Sequence, residues 1–113
     1  MRGDEFRHAC VDAIDRIRRA TGGKSDVLVM TTMPGPKEWD TRAELGEAGR
    51  KAARERNAGL ADTDRAFHEA GKTDPNRLFA KDPQRGTPDV HLGPEGQRVV
   101  AETVMQAIEA AGK

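Results

Sequence analysis

Apolar positions recur at helical spacing from the start of the chain. Phe6, Ala9, Cys10, Ala13, Ile14 and Ile17 follow the i, i+3, i+4, i+7 intervals that bring side chains onto one helical face. Asp12 and Asp15 stand four residues before Arg16 and Arg19, the orientation in which such pairs support a helix. Thr21-Gly22-Gly23 predicts its end, since glycine takes the left-handed cap conformation at no steric cost. The stripe puts Cys10 on the buried side, as a small hydrophobe rather than a nucleophile. Residues 26–32 then change character. Val27, Leu28, Val29 and Met30 are apolar without alternation, as in a parallel strand covered on both faces. A helix, a glycine turn and such a strand form the second half of a βαβ unit.

Met33-Pro34-Gly35-Pro36-Lys37-Glu38-Trp39 breaks regular structure with two prolines and a glycine. It leaves the carboxyl end of the strand, where open α/β sheets take their ligands. Trp39 is therefore either a wall of a substrate cleft or a cover for the core edge. Thr41-Arg42-Ala43-Glu44 is a capping-box pattern opening a second helix that runs to about Asn57. Gly59-Leu60-Ala61-Asp62 reads as a short strand or a turn, and residues 65–70 as a helical stretch. From Gly71 to Gly93 the pattern is that of a long loop, with Pro75, Pro83, Gly86 and Pro88. Pro94 suits the first turn of a last helix, whose expected buried stripe is Val100, Val104, Ala107, Ile108 and Ala111.

Composition narrows the classes. Val, Leu, Ile and Phe make up 18 of 113 residues, about 16%. That lies below the roughly 20% under which disorder becomes a fair expectation. The 19 basic residues balance the 19 acidic ones, however, so the high net charge of disordered chains is absent. The same balance speaks against a nucleic-acid partner, which calls for a basic excess or stripe. Cys10 is the single cysteine and excludes an internal disulfide. No stretch reaches the ~20 apolar residues needed to span a bilayer, and Met1-Arg2-Gly3-Asp4-Glu5 leads into an amphipathic helix rather than a secretory segment.

Candidate chemistry concentrates at the end of the expected loop. Pro88-Asp89-Val90-His91-Leu92-Gly93-Pro94-Glu95-Gly96 sets a carboxylate and an imidazole just ahead of a helix. A histidine so placed suits a general base toward a hydroxyl, with the acid holding its tautomer. Ser25, the single serine, follows Gly22-Gly23-Lys24 and precedes a strand, so it is not on a strand-to-helix elbow. It does not complete a phosphate loop either, because Arg18 stands where that motif needs glycine. His8, Cys10, His68 and His91 have no compact metal-ligand spacing.

The run from Asp89 to Glu102 resembles the last conserved block of SGNH/GDSL hydrolases. In that block an Asp-x-x-His loop is followed by a small-residue or proline turn, a glycine and an amphipathic helix. The helix from Glu5, the strand Val27–Met30 and the proline-bearing exit loop resemble the stretch after that family's Gly-x-Asn-Asp block. The resemblance implies an α/β fold, the C-terminal part of a flavodoxin-like three-layer αβα sandwich spanning residues 1–113 as one partial domain. It implies hydrolysis of an ester or acyl group on a small molecule or carbohydrate, without metal or organic cofactor. His91 would be the catalytic base. The family spaces its acid three before the histidine, where this chain has Pro88. Asp89, two before, is the nearest acid, with Asp82 a more distant alternative. The Gly-Asp-Ser nucleophile block, the oxyanion glycine and the asparagine block are not among these 113 residues. His91 is therefore expected to need a serine from a complementing N-terminal segment. The rival expectation is a non-catalytic α/β interaction module that pairs through an open sheet edge, with a partner or as a homodimer.

Overall fold

A computed structural model describes residues 3–37, 39 and 43–111. Thr41 of the expected capping box lies outside the described residues. The first helix, α1 (Gly3–Ala20), ends as its glycines dictate, with Gly22 and Gly23 at φ of 62° and 76°. It leads to strand β1 (Leu28–Met30), then helix α2 (Ala43–Glu55), strand β2 (Gly59–Ala61) and helix α3 (Thr63–Ala70). A 3-10 helix at Pro75–Leu78, strands β3 (Phe79–Lys81) and β4 (Pro88–Leu92), and helix α4 (Pro94–Ala111) complete the chain. Among the described residues the fold is mixed α/β, with two two-stranded sheets.

β1 and β2 pair in parallel, with Val29 beside Leu60. Lateral neighbours in such a ladder share a face, and alternate residues take opposite faces. Val29 and Thr31 point to α2, whose Gly49 lets the helix ride close. A Cβ there would lie 3.3 Å from Thr31 Cγ2 and 3.8 Å from Val29 Cγ1. Leu28, Met30, Gly59 and Ala61 point the other way, toward α4, which packs on β2 and β1. Ala61 is fully buried there.

α1 and α2 run side by side in the same direction. Gly3 abuts Glu44, Arg7 binds Glu55 at 2.6 Å, and Arg56 binds Asp15 at 2.8 Å. Asp12 makes its helix pair with Arg16 at 2.9 Å, whereas Asp15 is used between helices. Of the apolar stripe expected to be buried on α1, Ile14 is buried but Ile17 is 46% exposed. Cys10 is half-buried rather than part of the core, and burial pushes its thiol up.

The stretch expected to be a loop from Gly71 to Gly93 is ordered. Asp74 caps the 3-10 helix by accepting from Asn76 N–H, and β3 pairs antiparallel with β4, Phe79 against Leu92. Strands this short leave no periodicity to read, and the prolines that signal a loop sit at the first position of the 3-10 helix, in the hairpin turn and at the start of β4. The buried apolar cluster joins this hairpin to the 3-10 helix, α3 and α4. Phe67, Leu78, Phe79 and Val99 pack together, with Trp39, Leu92 and Val100 around them. On α4, Gly96 and Val99 are buried, while Ile108 is 52% exposed, contrary to the expected stripe.

Candidate functional site

The last turn of α4 fixes the orientation of the site. Ala111 shares a hollow with Asp26, Val27 and Gly59 at the amino ends of β1 and β2. The start of α4, and the strand β4 that feeds it, therefore lie toward the carboxyl ends. Gly93 N–H donates to Leu78 O at 3.0 Å and Gln97 N–H to Gly93 O at 2.9 Å, anchoring the junction. Gly96 sits so near Leu78 that no side chain fits: a Cβ would come within 2.1 Å of the Leu78 carbonyl oxygen.

Asp89 and His91 lie on β4, two residues apart. An extended strand turns every second side chain to the same face. The spacing that departs from a three-residue interval thus brings both groups together. His91 Nδ1 is 3.1 Å from Asp89 Oδ1, and the ring is 80% exposed. Asp89 also accepts from Val90 N–H at 2.5 Å. Partial burial opposes its ionisation, yet the bonds from Val90 N–H and His91 prevail and hold the carboxyl below its usual range. With Nδ1 engaged, Nε2 is the nitrogen left to face a reactant. Asp82, the other acid considered, is spent in the hairpin turn, accepting from Gln84 N–H at 2.8 Å and Arg85 N–H at 3.4 Å.

Trp39 is held away from solvent on one side. Its ring lies 4.9 Å from His68 and 6.3 Å from Phe79 between centroids. It also packs over Gly71, where a Cβ would fall 2.7 Å from the ring edge. These contacts make it a cover for the core edge. Ser25 lies by the amino ends of the strands, with Asp26 and Val27, at the opposite end from the start of α4.

A second polar cluster was not legible in the sequence. At the carboxyl ends of β1 and β2, Arg50 Nη1 donates to Asp62 Oδ1 at 3.0 Å and Asp64 Oδ2 at 3.2 Å. Thr31 Oγ1 donates to Asp62 and accepts from Asp64 N–H, while Thr63 Oγ1 donates to Thr31 O. Asp62 is also the N-cap of α3. His68 Nδ1 lies 2.9 Å from Asp64 O and its Nε2 2.8 Å from Trp39 O. The one local signal was Asp62-Thr63-Asp64 as a helix start; the partners come from four separate elements. The cluster ties the end of β1, α2 and the β2–α3 junction into one block.

Among the described residues, no three His, Cys, Asp or Glu side chains are grouped to hold a metal ion. No described helix is long and apolar enough to cross a membrane. No known protein family, curated protein or solved structure matches the chain.

Proposed function

We propose that these residues carry the histidine–aspartate half of an SGNH-type ester hydrolase site, within the C-terminal part of a three-layer αβα sandwich. The observation that carries this reading is the Asp89–His91 contact on an exposed strand leading into α4. In this reading Asp89 accepts from His91 Nδ1–H and fixes the tautomer, leaving Nε2 unprotonated. Nε2 takes the proton of a serine hydroxyl as that oxygen attacks the acyl carbonyl, and returns it to the leaving alcohol. The carboxylate stabilises the imidazolium formed in between. The substrate class is an ester or acyl group on a small molecule or carbohydrate, and no cofactor takes part. The serine and the oxyanion donors come from a segment outside these residues, without which transition-state stabilisation is missing.

Fluorophosphonate labelling tests the reading. The chain alone is expected to remain unlabelled and to leave p-nitrophenyl esters intact. Joined to the coding sequence immediately upstream, it is expected to label at a serine, and His91→Ala is expected to abolish labelling. An upstream frame without a Gly-Asp-Ser segment, or labelling indifferent to His91→Ala, ends the proposal. A second reading, a non-catalytic module that pairs through its sheet edge, is favoured by one feature: Met30 of β1 is half exposed.

A further inference from the structure

The ladder of the β3–β4 hairpin slips where Asp89 and His91 sit. Phe79 pairs with Leu92 and Lys81 with Pro88, so Asp89, Val90 and His91 stand opposite Ala80 alone. Surplus residues on one strand form a bulge, which bends that strand and re-aims its side chains. The bulged segment turns outward here: Val90 is 71% exposed and the His91 side chain 80%. A ring so displayed is open to a bulky reactant carried by another molecule.

The two nitrogens of that ring are unlike. Nδ1 is 3.1 Å from the Asp89 carboxylate, whereas Nε2 has no partner among the described residues. The bond at one ring nitrogen decides which of the two carries the proton. An ionised carboxylate only accepts, so the neutral ring keeps its proton on Nδ1 and a lone pair on Nε2. An imidazole in that state is a nucleophile in its own right. The other two histidines are placed differently. His8 has Nε2 as its engaged nitrogen, 3.2 Å from Arg7 Nη2 and 3.5 Å from Asp4 Oδ2. His68 has a backbone carbonyl oxygen against each of its nitrogens.

We infer that His91 is a phosphoryl acceptor, taking the group on Nε2 from a phosphoramidate (P–N) donor such as a phosphorylated histidine of another protein. The Nε2 lone pair forms the new P–N bond as the donor's P–N bond breaks, and the electron pair of the broken bond leaves with the donor nitrogen. His91 becomes a phosphorylated imidazolium. Its Nδ1–H stays on Asp89, whose charge-assisted bond offsets the positive charge that develops on the ring. One P–N bond replaces another, so the step calls for no oxidant, reductant or further co-reactant. An acyl group on Nε2 would be lost quickly to water, whereas a phosphoryl group persists at neutral pH, which favours phosphoryl transfer as the lasting modification. The inference uses the Asp89–His91 geometry alone and goes beyond the hydrolase reading, since it needs no serine.

Incubation of the full chain with potassium phosphoramidate at neutral pH, followed by phosphorus NMR and intact mass, tests it. One phosphoryl group is expected at His91, on Nε2, lost in acid and retained in alkali. His91→Gln is expected to abolish that incorporation, and His8→Gln to leave it unchanged. Asp89→Asn and an isolated peptide of residues 87–94 are expected to react about two- to fivefold more slowly, the range that an exposed charge pair supplies. Trp39 fluorescence shows that each variant keeps the core. Absence of incorporation, modification of His8 as fast as His91, or the Nδ1 isomer at His91 overturns the inference. So do equal rates for the parent, Asp89→Asn and the peptide. Phosphoryl transfer to His91 without fluorophosphonate labelling of the upstream-joined protein leaves this inference standing and removes the hydrolase reading. Labelling without phosphoryl transfer does the reverse.

Discussion

Gly96→Ala tests the tightest junction in the molecule. The added methyl would sit 2.1 Å from Leu78 O, 3.2 Å from Leu78 C and 3.3 Å from Leu92 Cδ2. Ordinary carbon–oxygen contact is more than 1 Å longer than the first of these, and the obstacle is backbone. That carbonyl is also the acceptor for Gly93 N–H. Relief therefore requires α4 to lift from the 3-10 helix, at the overpacking cost of about 1–3 kcal/mol. Losing or stretching the Gly93 bond adds about 1 kcal/mol. Alanine in place of glycine returns up to ~1 kcal/mol of helix propensity. The net is a destabilisation of about 1–3 kcal/mol, a large share of the ~5–15 kcal/mol available to a domain. A lowering of the melting temperature by roughly 5–20 °C follows. Trp39 is the single tryptophan and packs on this core, so its fluorescence reports the urea transition. Gln106→Ala, exposed on the same helix, is the control. A Gly96→Ala protein as stable as its parent, or more stable through helix propensity alone, refutes the close approach of α4 to Leu78.

Phe67 is fully buried, and Phe67→Ala is expected to cost about 3–5 kcal/mol, read as a lower urea midpoint with Ile17→Ala as the exposed comparison. Arg50→Met leaves the Asp62 and Asp64 carboxylates without their guanidinium, and Asp64 is buried. A loss of about 1–3 kcal/mol is expected, with calorimetry as the check. The hydrogen bond from Arg56 holds the Asp15 carboxyl below its usual value. A carboxyl depressed in the folded state contributes stability above its unfolded value of about 3.9, and that contribution fades as pH falls through the lower folded value. The gap in melting temperature between the parent and Asp15→Asn is therefore expected at neutral pH and should close on acidification below about pH 4. A gap that is constant or widens in acid contradicts the Asp15–Arg56 pairing.

The elements that depend on near neighbours in the chain were readable from it. α1 follows from a 3.6-residue period and the Gly22-Gly23 stop, β1 from an unbroken apolar run, and the start of α4 from Pro94. Asp89 and His91 were identifiable as residue types just ahead of a helix. Their contact was decided elsewhere: only the β3–β4 pairing extends residues 88–92 so that a two-residue interval becomes a shared face. That pairing, like β2, involves strands too short for any period to register, and its stability comes from Phe79 and Leu92 meeting Phe67 and Val99 across distant segments. The Arg50 cluster likewise draws partners from four elements that nothing in the linear order brings together. The chain also specified which sides of α1 and α4 are apolar, because periodicity sets faces. Whether those faces are covered depends on what packs against them, and for Ile17, Met30, Met105 and Ile108 nothing among the described residues does so fully.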